Sequence, residues 1–116
     1  MAVSYNTVID QGADWFINFQ YKQPNGDPVN LTGYTAALQV RTSPLAKTAV
    51  LTLDTNAGLT ITPLTGTIAA HATAAQTAAI TNGKYSYDLE ITNNVGVVTR
   101  LVQGTIEVSP QTTRTE

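Results

Sequence analysis

The stretch from Lys84 to Val102 constrains this chain more than any other. Tyr85, Tyr87, Leu89 and Ile91 alternate with Ser86, Asp88, Glu90 and Thr92. Successive side chains of a strand point to opposite faces, so this order predicts one aromatic and aliphatic face and one polar face. Asn93, Asn94 and Gly96 then supply residues that tolerate positive φ, as a tight hairpin turn requires. A second β-rich arm follows from Val97. This hairpin is read as the centre of a small β-sandwich.

The same period of two recurs along the chain. Tyr5–Ile9 is a short candidate strand ended by Asp10, Gln11 and Gly12. Trp15, Ile17, Phe19 and Tyr21 alternate with Phe16, Asn18, Gln20 and Lys22, and the lone Trp is read as core between two sheets. The run Gln23–Pro28 is dense in turn formers and predicts a loop. Tyr34, Ala36, Leu38 and Val40 mark a third strand, and Ala49, Leu51 and Leu53 a fourth. Leu59 and Ile61 form a short fifth, stopped by Pro63. Thr67–Ala70 forms a sixth with Ile68 inward.

One helix is expected, over Thr73–Ile80. Alanine has the highest helix propensity, and Thr73 with Gln76 three residues on matches a capping box. Asn82–Gly83 is read as its stop. Tyr85, opening the next strand after this sheet-crossing corner, is placed to bond back to upstream backbone as a tyrosine corner. In the last segment, Leu101 is out of phase with Val102, Gly104, Ile106 and Val108, so a bulge or a change of sheet is expected near Gln103–Gly104. The fold class expected is all-β: an immunoglobulin-like two-sheet sandwich of about seven or eight strands with one short helix. Residues 1–110 are read as a single domain and 111–116 as a polar tail.

Of the 116 residues, 12% are charged, against a usual share of about 25%. Thr, Asn, Gln and Ser supply the polarity instead. Low charge with abundant Thr fits a surface covered by other subunits, and equally a secreted β domain. The net charge of −2 and six scattered basic residues argue against nucleic acid as a partner. There is no Cys, so a packed core must hold the domain without disulfides. No basic region followed by an apolar run opens the chain, so no signal peptide is expected, and no run approaches the roughly 20 apolar residues of a membrane span. The sequon Asn30–Leu31–Thr32 is accordingly expected to stay unmodified.

The residue chemistry assigns no catalytic, cofactor-binding or metal-ligating residue. His71 is the one histidine and is read as a surface or loop-edge residue. Ser4, Ser43, Ser86 and Ser109 sit in no nucleophile-elbow pattern. Asp88 and Glu90 share a strand face, which could suit acid–base work on a glycoside. Alternation alone gives such pairs, and Arg100 on the next strand is an available ion-pair partner. Asp54–Gly58 lacks the later ligands of a calcium loop.

Three segments together resemble a family of small bacteriophage virion proteins of the tail, baseplate and fibre-attachment region, including the N-terminal domain of upper-baseplate proteins. They are Gly26–Ala36 (GDPVNLTGYTA), Tyr85–Glu90 (YSYDLE) and Arg100–Pro110 (RLVQGTIEVSP). The resemblance implies a non-enzymatic virion structural protein without a cofactor, located in the virion and assembled in the host cytoplasm. Its implied partners are other virion proteins and copies of itself, with no nucleic acid and no membrane. Capsid decoration is an alternative within the same class. A carbohydrate-binding sandwich using Tyr5, Tyr21 and Tyr34 is an alternative from another class. Phe16 and Val50, large apolar residues on polar faces, are candidates for an interface patch, or equally for a sandwich face covered by the short helix or a loop.

Overall fold

The computed structural model describes residues 3–111. It is a two-sheet sandwich, as the alternation requires. The strands are β1 (Val3–Ser4), β2 (Thr7–Asp10), β3 (Trp15–Gln20), β4 (Thr35–Arg41), β5 (Leu51–Asp54), β6 (Leu59–Thr62), β7 (Thr67–Ala72), β8 (Gly83–Thr92) and β9 (Val98–Ser109). A 3₁₀ turn spans Pro63–Thr65, and α1 spans Ala74–Ala78. The larger sheet runs β1-β9-β8-β4-β5, with β2 also pairing β9; the smaller runs β3-β7-β6. β1 and β2 lie parallel to β9, while the remaining pairs are antiparallel.

The core forms where the inward phases meet. Trp15 and Phe19 of β3, Leu38 and Val40 of β4, and Ile68 and Ala70 of β7 are buried together with Tyr85, Tyr87, Leu89 and Ile91 of β8. β8 sits between β9 and β4, so its polar phase (Ser86, Asp88, Glu90) lies on the outer face of the larger sheet.

The crossing between sheets is made by α1. Thr73 caps it as expected: Gln76 N–H donates to Thr73 Oγ1 at 3.2 Å, and Thr73 N–H donates to Gln76 Oε1 at 2.8 Å. The helix stops at Ala79, earlier than the Asn82–Gly83 stop predicted; Gly83 instead opens β8. Tyr85 then donates its hydroxyl to the Thr81 carbonyl at 2.5 Å, closing the tyrosine corner. Thr77, fully buried, donates to the Ala13 carbonyl at 2.9 Å and accepts from Gly12 N–H at 3.0 Å. These bonds fasten the helix to the turn between β2 and β3.

Two expectations are corrected in position. The irregularity in β9 lies opposite Leu89 and Glu90, where Leu89 pairs Val102 and Glu90 pairs Arg100. Leu101 is the extra residue, and this accounts for its phase. Gly104 marks a different constraint. A Cβ there would overlap the carbonyl oxygen of Tyr5, so glycine lets the segment between β1 and β2 cross over β9. Tyr87 donates its hydroxyl to that same carbonyl at 2.7 Å. The second correction is that β7 runs two residues beyond Ala70, placing His71 within a strand. Of the polar tail expected over 111–116, only Gln111 is among the described residues; the rest lies outside them.

Trp15 is only 6% exposed, so Trp15→Ala should lower stability by roughly 3–5 kcal/mol, the range for emptying a large aromatic site; urea unfolding measures it. Tyr87 is a second test. Burial, with Tyr5 nearby, pushes its pKa up to about 12. A raised folded pKa means stability held below the ordinary tyrosine value near 10 and lost as pH rises through about 12. A phenolate absorbance titration should show one late-titrating tyrosine, absent in Tyr87→Phe.

Candidate interaction surfaces

Three surface features gather the side chains with chemical or binding potential. The first is on the outer face of the smaller sheet. Phe16 of β3 and His71 of β7 are register partners, and their rings stack with centroids 4.3 Å apart and planes 7° from parallel. His71 Nε2 lies 3.0 Å from Asp14 Oδ2. Asp14 Oδ1 accepts the Ala74 N–H at 2.8 Å. Asp14 is therefore held between the strand and the start of α1. The hydrogen bond from His71 and that from Ala74 hold its carboxyl below the ordinary carboxylate range.

A His–Asp pair is two-thirds of a hydrolytic triad. Of the serines, Ser4 and Ser86 line a groove on the other sheet. The pair acts as a surface clamp between β7 and the β2–β3 turn. Sequence reading passes over Asp14, because its partner is 57 residues away and no local pattern joins them.

The second feature is a groove of about 550 Å³ on the outer face of the larger sheet, lined by Gln39, Arg41, Asp88, Glu90, Arg100 and Gln103 among others. Arg100 Nε lies 3.5 Å from Asp88 Oδ2, and Arg100 is the register partner of Glu90. Arg41 donates to the Ala46 carbonyl at 3.0 Å and to Gln39 Oε1 at 2.6 Å. Asp88 is thus engaged by a cross-strand arginine, as the alternation suggested. Asp54 serves its own turn, accepting from Asn56 and Ala57 N–H at 2.9 Å.

The third feature is the edge formed by β3. On the side away from β7 no strand among the described residues pairs with it. Its six residues, Trp15–Gln20, include no charge and no proline. Phe16 is 69% exposed, and Val50 is also exposed. Tyr5 is exposed, whereas Tyr21 and Tyr34 are half-buried against the core. The three tyrosines thus form no common exposed platform, and the carbohydrate-binding alternative loses its basis.

No family model matches the sequence, and no curated protein matches it. Solved structures do resemble the fold. CopC from Methylosinus trichosporium OB3b is 10% identical with a TM-score of 0.49, over 92% of this chain and 88% of that one. The PmoD soluble domain from Methylocystis sp. ATCC 49242 (Rockwell) is 16% identical with a TM-score of 0.49, over 88% and 77%. Domains 3–5 of the Drosophila OTK extracellular region are 14% identical with a TM-score of 0.40, over 89% of this chain and 32% of that one.

The first two neighbours are bacterial CopC and PmoD domains and not phage proteins. The expectation of a phage virion structural protein is therefore withdrawn, and with it capsid decoration and a virion location. The physical reason lies in the motifs that suggested it. Gly26–Ala36 contains a side-chain-capped turn, with Asn30 Oδ1 accepting from Thr32 N–H, and the start of β4. Tyr85–Glu90 is the inward–outward alternation of β8, and Arg100–Pro110 is mostly β9. Each is strand-and-turn chemistry that a sandwich supplies whatever its role.

Asp14, with its depressed pKa, makes a testable contribution. Such a group stabilises the fold above the ordinary carboxylate range, and that contribution is lost as pH falls through the depressed value. Asp14→Asn should remove part of the acid-side loss in a stability–pH curve below about pH 4. Superimposable acid limbs would mean the His71–Asp14 pair does not persist in solution.

Proposed function

We propose that this chain is a non-enzymatic interaction module that associates with other protein subunits, copies of itself included. One observation carries this reading: the uncharged edge strand β3, with Phe16 turned outward and 69% exposed. Soluble sandwiches usually blunt such an edge with lysine, proline or a bulge, because an unpaired strand is a template for another chain. The low charged share of 12% supports the same reading, since a surface covered by partners has less need of charge. The His71–Asp14 pair and Asp88, which Arg100 meets across the strand gap, fit a structural role, each being held by a neighbour on the same surface. Nucleic acid and membrane are not the partners proposed: Arg41 and Arg100 are both tied to neighbouring groups, and the basic residues form no patch.

Light scattering of the purified protein across a concentration series tests the self-association in this reading. The expected result is a mass that rises to a discrete oligomer and falls back in Phe16→Lys. A monomer at every concentration, unaltered by Phe16→Lys, would overturn self-association.

A further inference from the structure

Asn25, Asn30 and Asn93 share one local geometry. Asn25 Oδ1 accepts the Asp27 N–H at 3.0 Å. Asn30 Oδ1 accepts the Thr32 N–H at 3.0 Å, and Asn93 Oδ1 accepts the Val95 N–H at 3.0 Å. Each bond reaches two residues ahead and closes an Asx turn. The closed ring contains the asparagine Cγ and the nitrogen of the next residue. The side-chain amide is thereby folded back over the peptide bond that follows it. The next residue is Leu31 after Asn30 and Asn94 after Asn93. After Asn25 it is Gly26, which has no side chain to hinder contact between that nitrogen and Cγ.

The surroundings of Asn25 leave this peptide free to move. Residues 23–28 are all exposed. The Gln23 N–H donates to the Asp27 carbonyl at 2.7 Å and the Gly26 N–H to the Gln23 carbonyl at 2.9 Å, so these bonds join loop residues to one another. Apart from its chain neighbours, no described atom lies within 4 Å of where a Gly26 Cβ would sit. Asn82–Gly83, the other Asn–Gly pair, is held from both sides. The Ile80 carbonyl accepts from Gln11 Nε2 at 2.8 Å, the Thr81 carbonyl accepts the Tyr85 hydroxyl, and Gly83 pairs in register with Val108.

We propose that Asn25 is a site of spontaneous modification, converting through a cyclic imide with Gly26 into aspartate and isoaspartate. The Gly26 nitrogen gives up its proton to water and forms a bond to Cγ of Asn25. The bond from Cγ to Nδ2 breaks, and the departing amine takes a proton from water and leaves as ammonia. Water then adds to either imide carbonyl and breaks that carbonyl's bond to nitrogen. Nothing is oxidised or reduced. Either product carries a carboxylate in place of an amide, so the net charge of −2 at pH 7 becomes more negative by one. The bond from Asn25 Nδ2 to Asp27 Oδ2, at 3.2 Å, is lost, and two carboxylates meet in its place. In isoaspartate the main chain also gains a methylene, so the original turn cannot re-form.

The test incubates the full chain at mildly alkaline pH, folded in buffer and unfolded in guanidinium. Peptide mapping by mass spectrometry and isoelectric focusing follow the products. In the folded chain Asn25 should convert about tenfold or more faster than Asn82, because reaction at Asn82 waits for the corner to open. In guanidinium the two sites should react at similar rates. Asn30 and Asn93, with the same turn and no glycine, should lag in both conditions. Asn25→Gln should abolish the acidic species that accumulates in the folded chain, since its longer side chain must close a larger ring. Asn25 unchanged when folded but converting in guanidinium, Asn82 converting as fast as Asn25 when folded, or an undiminished acidic species in Asn25→Gln would each overturn the inference.

Discussion

Two tyrosine hydroxyls on one strand secure the places where this sandwich changes direction. Tyr85 bonds the Thr81 carbonyl, fixing the corner through which the chain passes from the smaller sheet to the larger. Tyr87, two residues on and on the same face, bonds the Tyr5 carbonyl and fixes the N-terminal segment where it crosses β9. Their rings fill core between the sheets while their hydroxyls satisfy carbonyls that would otherwise be left without a donor. A buried phenol is stable when its one donor finds an acceptor. Gly104 makes the second contact possible, because any side chain there would displace the Tyr5 carbonyl. The period-two pattern of β8 is therefore more than a burial pattern. It orders the attachments of α1 and of β1.

The sandwich built around β8 is asymmetric. The larger sheet has strands on both sides of β8 and an outer face of paired polar groups, with Arg100 serving Asp88 across the strand gap. The smaller sheet stops at β3, a strand with no charge to discourage pairing. Polar groups on the surface are mostly engaged locally, through the Asp14–His71 clamp, the Asp54 turn and the Arg41–Gln39 pair. Val3 is 64% exposed, and Phe16, although stacked on the His71 ring, is still 69% exposed. That contrast turns the functional reading toward contact with another chain, and toward the edge of the smaller sheet.

Much of the fold was legible because its signals are local. The alternation in β3, β4 and β8 identified inward residues by position alone, and Thr73 with Gln76 announced the helix start through a bond spanning three residues. Leu101 betrayed a bulge by its phase, though not its position, since phase records that a slip occurs and leaves open which neighbouring residue absorbs it. The helix stop was misplaced because Gly83, a plausible terminator, is used to begin a strand. The virion reading failed for a related reason. Its motifs are those of strands and turns, and such motifs describe how a sandwich is made more than what it does.

The sequence by itself determined the all-β class, the inward face of each long strand and the absence of disulfide chemistry, because side-chain period and residue type are properties of consecutive residues. Only the tertiary structure decided that Asp14 meets His71, that Thr77 is buried against the β2–β3 turn, that Gly104 must lack a side chain, and that the smaller sheet has three strands with β3 at its edge. Each depends on residues far apart in the chain being brought together, and strand order, which brings them together, is set by the packing of whole sheets rather than by any one stretch.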